Sequence, residues 1–206
     1  MKKTRINTNL ITFKVTTTFD YNEYNEVELS PVNVSIILQT DNDEEKEIGT
    51  LSGYLMSDTE ATDCYDAMDN HSLEMVDLAN EFIEPREDDF EDEEGENYLK
   101  EWVIDISEYT HTNVLIVKRV LIDEQYRGNG ILKVLVNVLL KSFKCPIILK
   151  AFPLQFEGNA DQKGEFNKAS LKVRKAYMKC GFEPIKRGSE YMSITSHGFI
   201  QEKSFV

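Results

Sequence analysis

The chain has 206 residues, 41% of them hydrophobic, and its 37 acidic and 23 basic side chains give a net charge of −14. A chain this acidic is not expected to bind nucleic acid through general phosphate neutralisation. No apolar run approaches the roughly 18 residues of a membrane span, and no apolar signal segment follows the basic start. Three cysteines are too few for a disulfide framework, which favours a cytoplasmic protein. From the charge and the apolar runs we expect no nucleic-acid or membrane partner.

The N-terminal part of the sequence is typical of strands followed by a helix. Leu10–Thr16, Asn33–Thr40 and Ile48–Met56 are rich in β-formers, and a polar turn joins the last two into a hairpin. Apolar residues then recur at helical spacing over Ala67–Ile83, and Tyr98–Ile104 is interpreted as a shorter helix.

Charge divides the chain into two halves. Residues 1–113 carry 29 acidic and 7 basic side chains, a net charge of −22, whereas residues 114–206 carry 8 acidic and 16 basic ones, a net charge of +8. Nine carboxylates lie in the run Glu84–Glu96, which is expected to form a solvated, mobile loop. Acidic surface that only aids solubility explains this pattern, and so does a site that pairs an anionic cofactor with a cationic substrate.

The second half predicts a βαβ unit. Val114–Ile122 and Pro146–Phe152 are apolar runs of the kind found in strands covered on both faces. Ile131–Phe143 carries the apolar stripe of a helix between them. The two strands are therefore expected to be parallel, with a right-handed crossover.

The remaining sequence predicts a loop, a helix and a hairpin. The loop covers Pro153–Asn167, and the helix covers Ser170–Cys180 and ends at Gly181. The segments Glu183–Lys186 and Tyr191–Thr195 close the chain as a hairpin. Together the elements predict one domain, residues 1–206, of the α/β class in its three-layer α+β form, with a mixed, mostly antiparallel sheet around the parallel pair.

The segment from Gln125 to Ile131 has the features of a phosphate-binding loop, because it joins a buried strand to a helix N-terminus. Gly128 and Gly130 allow a tight turn and close approach of a ligand. The first amides of the helix lack partners within it and lie at the positive end of its dipole. Arg127 adds a charged fork for a further phosphate. No Gly-Lys-Ser/Thr follows, which argues against a Walker-type nucleotide site.

Two motifs in this half resemble those of a known family. The pattern Gln125-x-x-Gly128-x-Gly130 resembles the glycine loop of the GNAT superfamily of acetyl-CoA-dependent N-acetyltransferases. The segment Ala176–Phe182 is similar to the Leu-Tyr-x-x-x-Gly-Phe end of that family's fourth core helix. The order of elements over Val114–Thr195 also follows the family, whereas the strands before residue 57 match it only loosely.

The resemblance implies a GNAT-like sheet with a central splay, an acetyl-CoA-binding core at about 114–196 and an acidic helical insertion at about 57–113. It implies that acetyl-CoA is a co-substrate and that no metal is used. Tyr177 takes the family's position for the general acid that protonates departing CoA, and the strand backbone at Val120, Leu121 and Ile122 would meet pantetheine. The other implied cofactor-binding residues are Gln125, Arg127, Gly128, Asn129, Gly130, Ile131 and Ser170.

The sequence departs from the family at three points. The helical material follows the 33–56 hairpin instead of the first strand. Ser170 stands seven residues before Tyr177, where members often have an asparagine that meets the pantetheine arm. Some relatives use a glutamate on the strand before the loop as the base, but Val114–Ile122 contains no carboxylate. Candidates at its margins, or a water relay in their place, are left open: Glu108, His111, Asp123 and Glu157.

These observations predict transfer of an acetyl group from acetyl-CoA to a primary amine of a cationic acceptor by direct attack, since no activated nucleophile is visible. The acceptor would be a small molecule or a protein amino group, drawn to the acidic half, with Glu84–Glu96 as its gate. The alternative is a non-catalytic acyl-CoA-binding or protein-interaction module with an acidic docking face. The sequence leaves the oligomeric state open.

Overall fold

The computed structural model of the chain describes residues 4–18, 29–40, 42–56, 68–85, 97–99, 113–153, 163–185 and 189–195. In chain order the strands and α-helices are β1 (Ile11–Thr17), β2 (Leu29–Gln39), β3 (Glu45–Met56), α1 (Leu73–Phe82), β4 (Ile83–Pro85), β5 (Asn97–Leu99), β6 (Val114–Ile122), α2 (Ile131–Phe143), β7 (Ile147–Lys150), α3 (Lys163–Met178), β8 (Glu183–Pro184) and β9 (Tyr191–Ile194).

Seven strands form one mixed sheet in the order β1-β2-β3-β6-β7-β9-β8, and β4 pairs with β5 separately. Within this sheet β6 and β7 are parallel, and the other neighbouring strands are antiparallel. The predicted α+β class, the mostly antiparallel sheet and its central parallel pair are therefore confirmed. The predicted hairpins at 33–56 and at the end of the chain are also present, as β2–β3 and β8–β9.

Apolar side chains on both faces of the sheet give the fold three layers. In β6, Leu115 and Val117 join the core formed with α2 and α3, whereas Val114 and Ile116 join a second core formed with α1. This alternation follows from the period of two residues in a strand. It explains why a continuous apolar run, and not an alternating one, marks this central strand.

The predicted helix at Tyr98–Ile104 is corrected. Tyr98 and Leu99, predicted to start a helix, lie in β5 and pair with Glu84 and Ile83; the remainder of that predicted helix lies outside the described residues. The pairing shows that cross-strand partners override a weak helical period in so short a segment.

The third helix begins at Lys163, earlier than the predicted Ser170, so the preceding loop is shorter than expected. Its first turns contain one large apolar residue, Phe166, and therefore show no apolar stripe. Good helix formers and Glu165 in the first turn favour the helix there instead.

The acidic insertion contributes α1 to the second core. The predicted helix from Ala67 is interrupted: Met68 and Asp69 are helical, the chain turns at residues 70–71, and α1 then starts at Leu73 after Ser72. Met75, Leu78 and other apolar residues of this segment pack on the sheet. The acidic run, predicted to be a loop from Glu84, begins inside β4, where Glu84 and Pro85 pair with β5; its residues 86–96 lie outside the described residues.

Candidate functional site

The loop between β6 and α2 has the left-handed backbone that its two glycines were expected to allow. After β6 ends at Ile122, a 3-10 turn covers Glu124–Tyr126. The φ angle is +89° at Gly128 and +81° at Gly130, a region that other residues rarely adopt. A Cβ on Gly130 would project into open space, so the backbone conformation and not crowding requires glycine there.

The N-terminus of α2 is open to a ligand. Gly130 is the N-cap residue, and no side chain caps the first turn. The Gly130 carbonyl already accepts the first helical hydrogen bond, from the Val134 amide at 3.2 Å. The amides that begin at the predicted site residue Ile131 are therefore available to an anion at the positive end of the helix dipole. The Ile131 side chain itself is buried in the core.

Arg127 lies across the end of β6. Its exposed side chain donates a hydrogen bond from Nε to the Ile122 carbonyl at 2.7 Å. This contact orients the guanidinium beside the loop while its Nη groups can still donate to a phosphate. Ile122 is predicted to meet pantetheine through its backbone, and its carbonyl already accepts a hydrogen bond from Arg127.

Two other predicted cofactor residues hold the N-terminal segment. The Asn129 side chain donates to the Thr4 carbonyl at 2.9 Å and accepts from the Ile6 amide at 3.4 Å. The carbonyl of Gln125 accepts from the Thr4 amide at 3.0 Å. The Asn129 side chain therefore lies in the predicted loop, but its amide group hydrogen-bonds the N-terminal segment of the protein. Sequence reasoning missed this contact because about 120 residues separate its partners.

The parallel ladder between β6 and β7 is short, and it ends before the residues predicted to meet pantetheine. It pairs Leu115 with Ile147 and ends at Val117 with Leu149. Beyond it, β6 continues to Ile122, and Val120, Leu121 and Ile122 pair with β3 on the other edge. The β3–β6 register also shifts here, because Ser52 pairs with Arg119 and Gly53 with Val117. A β-bulge at this point bends the strand away from regular pairing.

Tyr177 lies near the end of α3, on the same side of the sheet as α2. Its half-buried ring packs against that core and meets the Phe182 ring edge-on, with centroids 5.6 Å apart. Gly181, at φ +97°, ends the helix, and the Phe182 amide donates to the Tyr177 carbonyl at 3.2 Å. The predicted role of Gly181 as helix terminator is confirmed. Ser170, also half-buried, lies two turns before Tyr177 on the same face of α3.

Burial keeps the Tyr177 hydroxyl protonated. Desolvation raises its pKa from 10.0 to about 12, and the neighbouring Cys180 adds to the rise. Burial likewise raises the pKa of the Cys145 thiol to about 11 and that of Cys180 above its usual value. These two thiols are therefore poor nucleophiles at neutral pH. Cys64 lies outside the described residues.

A general base is not assigned by this geometry. Glu108, His111 and Glu157 lie outside the described residues. Asp123 is exposed at the end of β6, where its amide donates to the Ile48 carbonyl at 2.9 Å. The described residues contain no group of three or more His, Cys, Asp or Glu side chains that could hold a metal ion. None of the helices among them is long and apolar enough to span a membrane.

Comparison of the chain with family models, with curated proteins and with solved structures finds no match.

Proposed function

We propose that this protein is a cytoplasmic N-acetyltransferase of the GNAT type, which transfers an acetyl group from acetyl-CoA to a primary amine. One observation carries the proposal: the left-handed glycine loop and the uncapped start of α2 directly follow a strand that outruns its parallel neighbour. The uncapped start of α2 and the end of the parallel ladder therefore lie at opposite ends of the same stretch of β6.

The pyrophosphate of acetyl-CoA would bind the first amides of α2, with Arg127 on a neighbouring phosphate. CoA carries roughly four negative charges, so an open helix N-terminus with an arginine suits it. Because a strand rises about 3.3 Å per residue, the five residues Lys118–Ile122 span roughly 16 Å. An extended pantetheine arm can follow this stretch, past Val120, Leu121 and Ile122, to the end of the ladder.

The reaction needs a neutral amine and a stabilised leaving group. The amine nitrogen attacks the thioester carbonyl, the carbon–sulfur bond breaks, and the products are an amide and CoA thiol. Backbone groups of β6 would polarise the carbonyl. Tyr177, with a pKa of about 12, remains a hydrogen-bond donor at neutral pH. A CoA thiol has a pKa near 8.5, well below that of Tyr177, so Tyr177 would not transfer its proton completely to the thiolate. It would stabilise the developing thiolate by a hydrogen bond instead.

The acceptor would be a cationic amine, either a small molecule or an amino group of a protein. The first half of the chain, with its net charge of −22, favours approach of a cation. The run Glu84–Glu96 would act as a gate for it. If deletion of residues 88–94 leaves the acceptor KM unchanged at low salt, the gate is refuted.

A non-catalytic acyl-CoA-binding or protein-interaction module is the second candidate. The observation that favours it is the absence of any carboxylate along Val114–Ile122, which leaves β6 without a base. Tyr177→Phe separates the two readings. For an enzyme, turnover should fall roughly 100-fold while CoA affinity is kept; for a binding module, neither binding nor partner capture should change.

The first test is calorimetric titration of the folded protein with acetyl-CoA. We expect micromolar binding that an Arg127→Ala, Gly128→Ala double variant loses. Lys141→Ala is the matched control, because Lys141 is exposed in the last turn of the same helix and far from the loop. Absence of binding by the folded wild-type protein would refute the proposal. An equal loss of acetyl-CoA affinity in Lys141→Ala would show that binding depends on the overall charge of the surface and not on the loop.

A further inference from the structure

A small apolar cleft opens between α1 and the sheet. Its apolar walls are Met75 and Leu78 of α1 and Ile116, Ile148 and Tyr191 of three neighbouring strands. The cleft has a volume of about 20 Å³, which is near the smallest space that holds one water-sized group. Its lining is therefore suited to a methyl group and not to a polar or bulky ligand.

The cleft adjoins the end of the parallel ladder. Val117 and Leu149, the last pair of that ladder, also line it, as do the residues that follow them, Lys118 and Lys150. An acyl group held along β6 beyond the ladder would therefore lie next to this space. The cleft thus lies on the α1 side of the sheet, where Ile116 and Ile148 belong to the second core.

The Lys150 side chain at the edge of the cleft interacts with two neighbouring groups. The Lys150 ammonium lies 3.6 Å from a carboxylate oxygen of Glu190 and 5.5 Å from the centre of the Tyr191 ring. This lysine therefore has an acidic and an aromatic partner at the edge of the cleft. Shape and apolarity, more than charge, determine what the cleft accepts.

We infer that this cleft holds the methyl end of the acyl group, and that Met75 and Leu78 set the maximum length of the acyl chain. The inference rests on the proposed function. Both side chains are almost fully buried, with 2% and 5% of their surface exposed, so a longer chain would have to displace α1 from the sheet. Helix α1 of the acidic insertion is then the part of the fold that makes the protein selective for acetyl-CoA.

The test compares CoA, acetyl-CoA and butyryl-CoA as ligands of the wild-type chain and of two variants. Calorimetry on the wild-type protein should show acetyl-CoA binding about tenfold more tightly than butyryl-CoA, the effect expected when a pocket lacks room for added methylenes. Leu78→Ala should remove most of this preference. Leu73→Ala is the matched control, since Leu73 lies on the same helix, is 86% exposed and does not line the cleft.

A second readout does not depend on a variant that folds well. In the wild-type protein labelled with ¹³C at methionine methyl groups, the Met75 signal, assigned with Met75→Leu, should shift on addition of acetyl-CoA but not of CoA. Met178, which is 54% exposed on α3, should respond equally to both.

The outcomes separate the inference from the proposed function. Equal affinity for acetyl-CoA and butyryl-CoA, with a silent Met75 signal, overturns the acyl cleft while acetyl-CoA binding stands. A Met75 signal that responds to an amine acceptor and not to the acetyl group assigns the cleft to the acceptor and also overturns the inference. Failure of every CoA compound to bind removes both.

Discussion

The two helices α1 and α2 begin in different ways: a side chain caps the first turn of α1, whereas no side chain caps that of α2. At α1 the Ser72 hydroxyl accepts a hydrogen bond from the Met75 amide at 3.4 Å. At α2 the N-cap is Gly130, which has no side chain to offer. A helix start that the protein caps for itself needs no ligand. A helix that begins at a left-handed glycine leaves its first amides without a side-chain partner, so that water or a ligand can bind them. At α2, Arg127 lies beside these amides.

Converting the open start of α2 into a closed one should have the largest effect. In Gly130→Asp, a carboxylate would occupy the anion site and repel phosphate, and we expect acetyl-CoA affinity to fall at least 100-fold. Gly130→Ala provides the matched variant, because it introduces the backbone strain at φ +81° without the charge. Calorimetry with both variants checks this; an equal loss in the two would show that strain and not charge blocks the site.

The far end of α2 should make stability depend on alkaline pH. Burial raises the pKa of Cys145 from 9.0 to about 11. Between these values the unfolded chain releases the proton and the folded chain keeps it, so folding loses stability as pH rises through the window. A two-unit shift corresponds to a loss on the order of 2 kcal/mol. Urea unfolding at pH 8, 10 and 11 measures it, and Cys145→Ala should flatten the slope.

In Cys145→Ala, stability should still fall with pH above pH 10, because the pKa of Tyr177 is raised to about 12 and that of Cys180 is also raised. The Tyr177→Phe variant should remove the part that is due to Tyr177. If the double variant keeps the full slope, burial of these two groups is not its cause.

The hydrogen bonds by which Asn129 holds the N-terminal segment are expected to matter more for stability than for acetyl-CoA binding. Asn129→Ala removes its hydrogen bonds to Thr4, Ile6 and Tyr126 and should lower the free energy of unfolding by about 1–2 kcal/mol. Asn129→Asp keeps the acceptor for Ile6 but sets a carboxylate oxygen against the Thr4 and Tyr126 carbonyls, so it should destabilise the fold at least as much. Chemical denaturation of both variants tests this. If Asn129→Ala lost acetyl-CoA binding without losing stability, Asn129 would be a ligand-binding residue instead.

The smallest effect is expected at the capped start of α1. Ser72→Ala removes a long capping hydrogen bond, and we expect it to cost about 0.5–1 kcal/mol of stability. Acetyl-CoA affinity should be unchanged, in contrast to Gly130→Asp. Thermal unfolding and calorimetry of the same preparation measure the two quantities; a binding defect would mean that α1 is coupled to the α2 loop.

Much of the core could be predicted because its signals are local. The strand β6 and the helix α2 have the predicted bounds, Val114–Ile122 and Ile131–Phe143. Gly181 ends α3 with the expected left-handed backbone. In each case the apolar periodicity or the glycine determines the local structure of a few neighbouring residues. The element could therefore be predicted without knowing any contact distant in the sequence.

The errors lie where distant partners decide. Residues 98–99 form a strand because residues 14 and 16 positions earlier pair with them. The early start of α3 carries no apolar stripe that a period could reveal.

The amino-acid sequence by itself determined the βαβ unit, its glycine loop and the division of charge, since these depend on residue type and close spacing. Only the tertiary structure decided where the ladder between β6 and β7 stops, that Asn129 holds Thr4 and Ile6, and that α1 leaves a methyl-sized cleft beside the end of that ladder. These features depend on contacts between segments far apart in the chain. Such contacts form through packing in three dimensions, and no local pattern of residues encodes them.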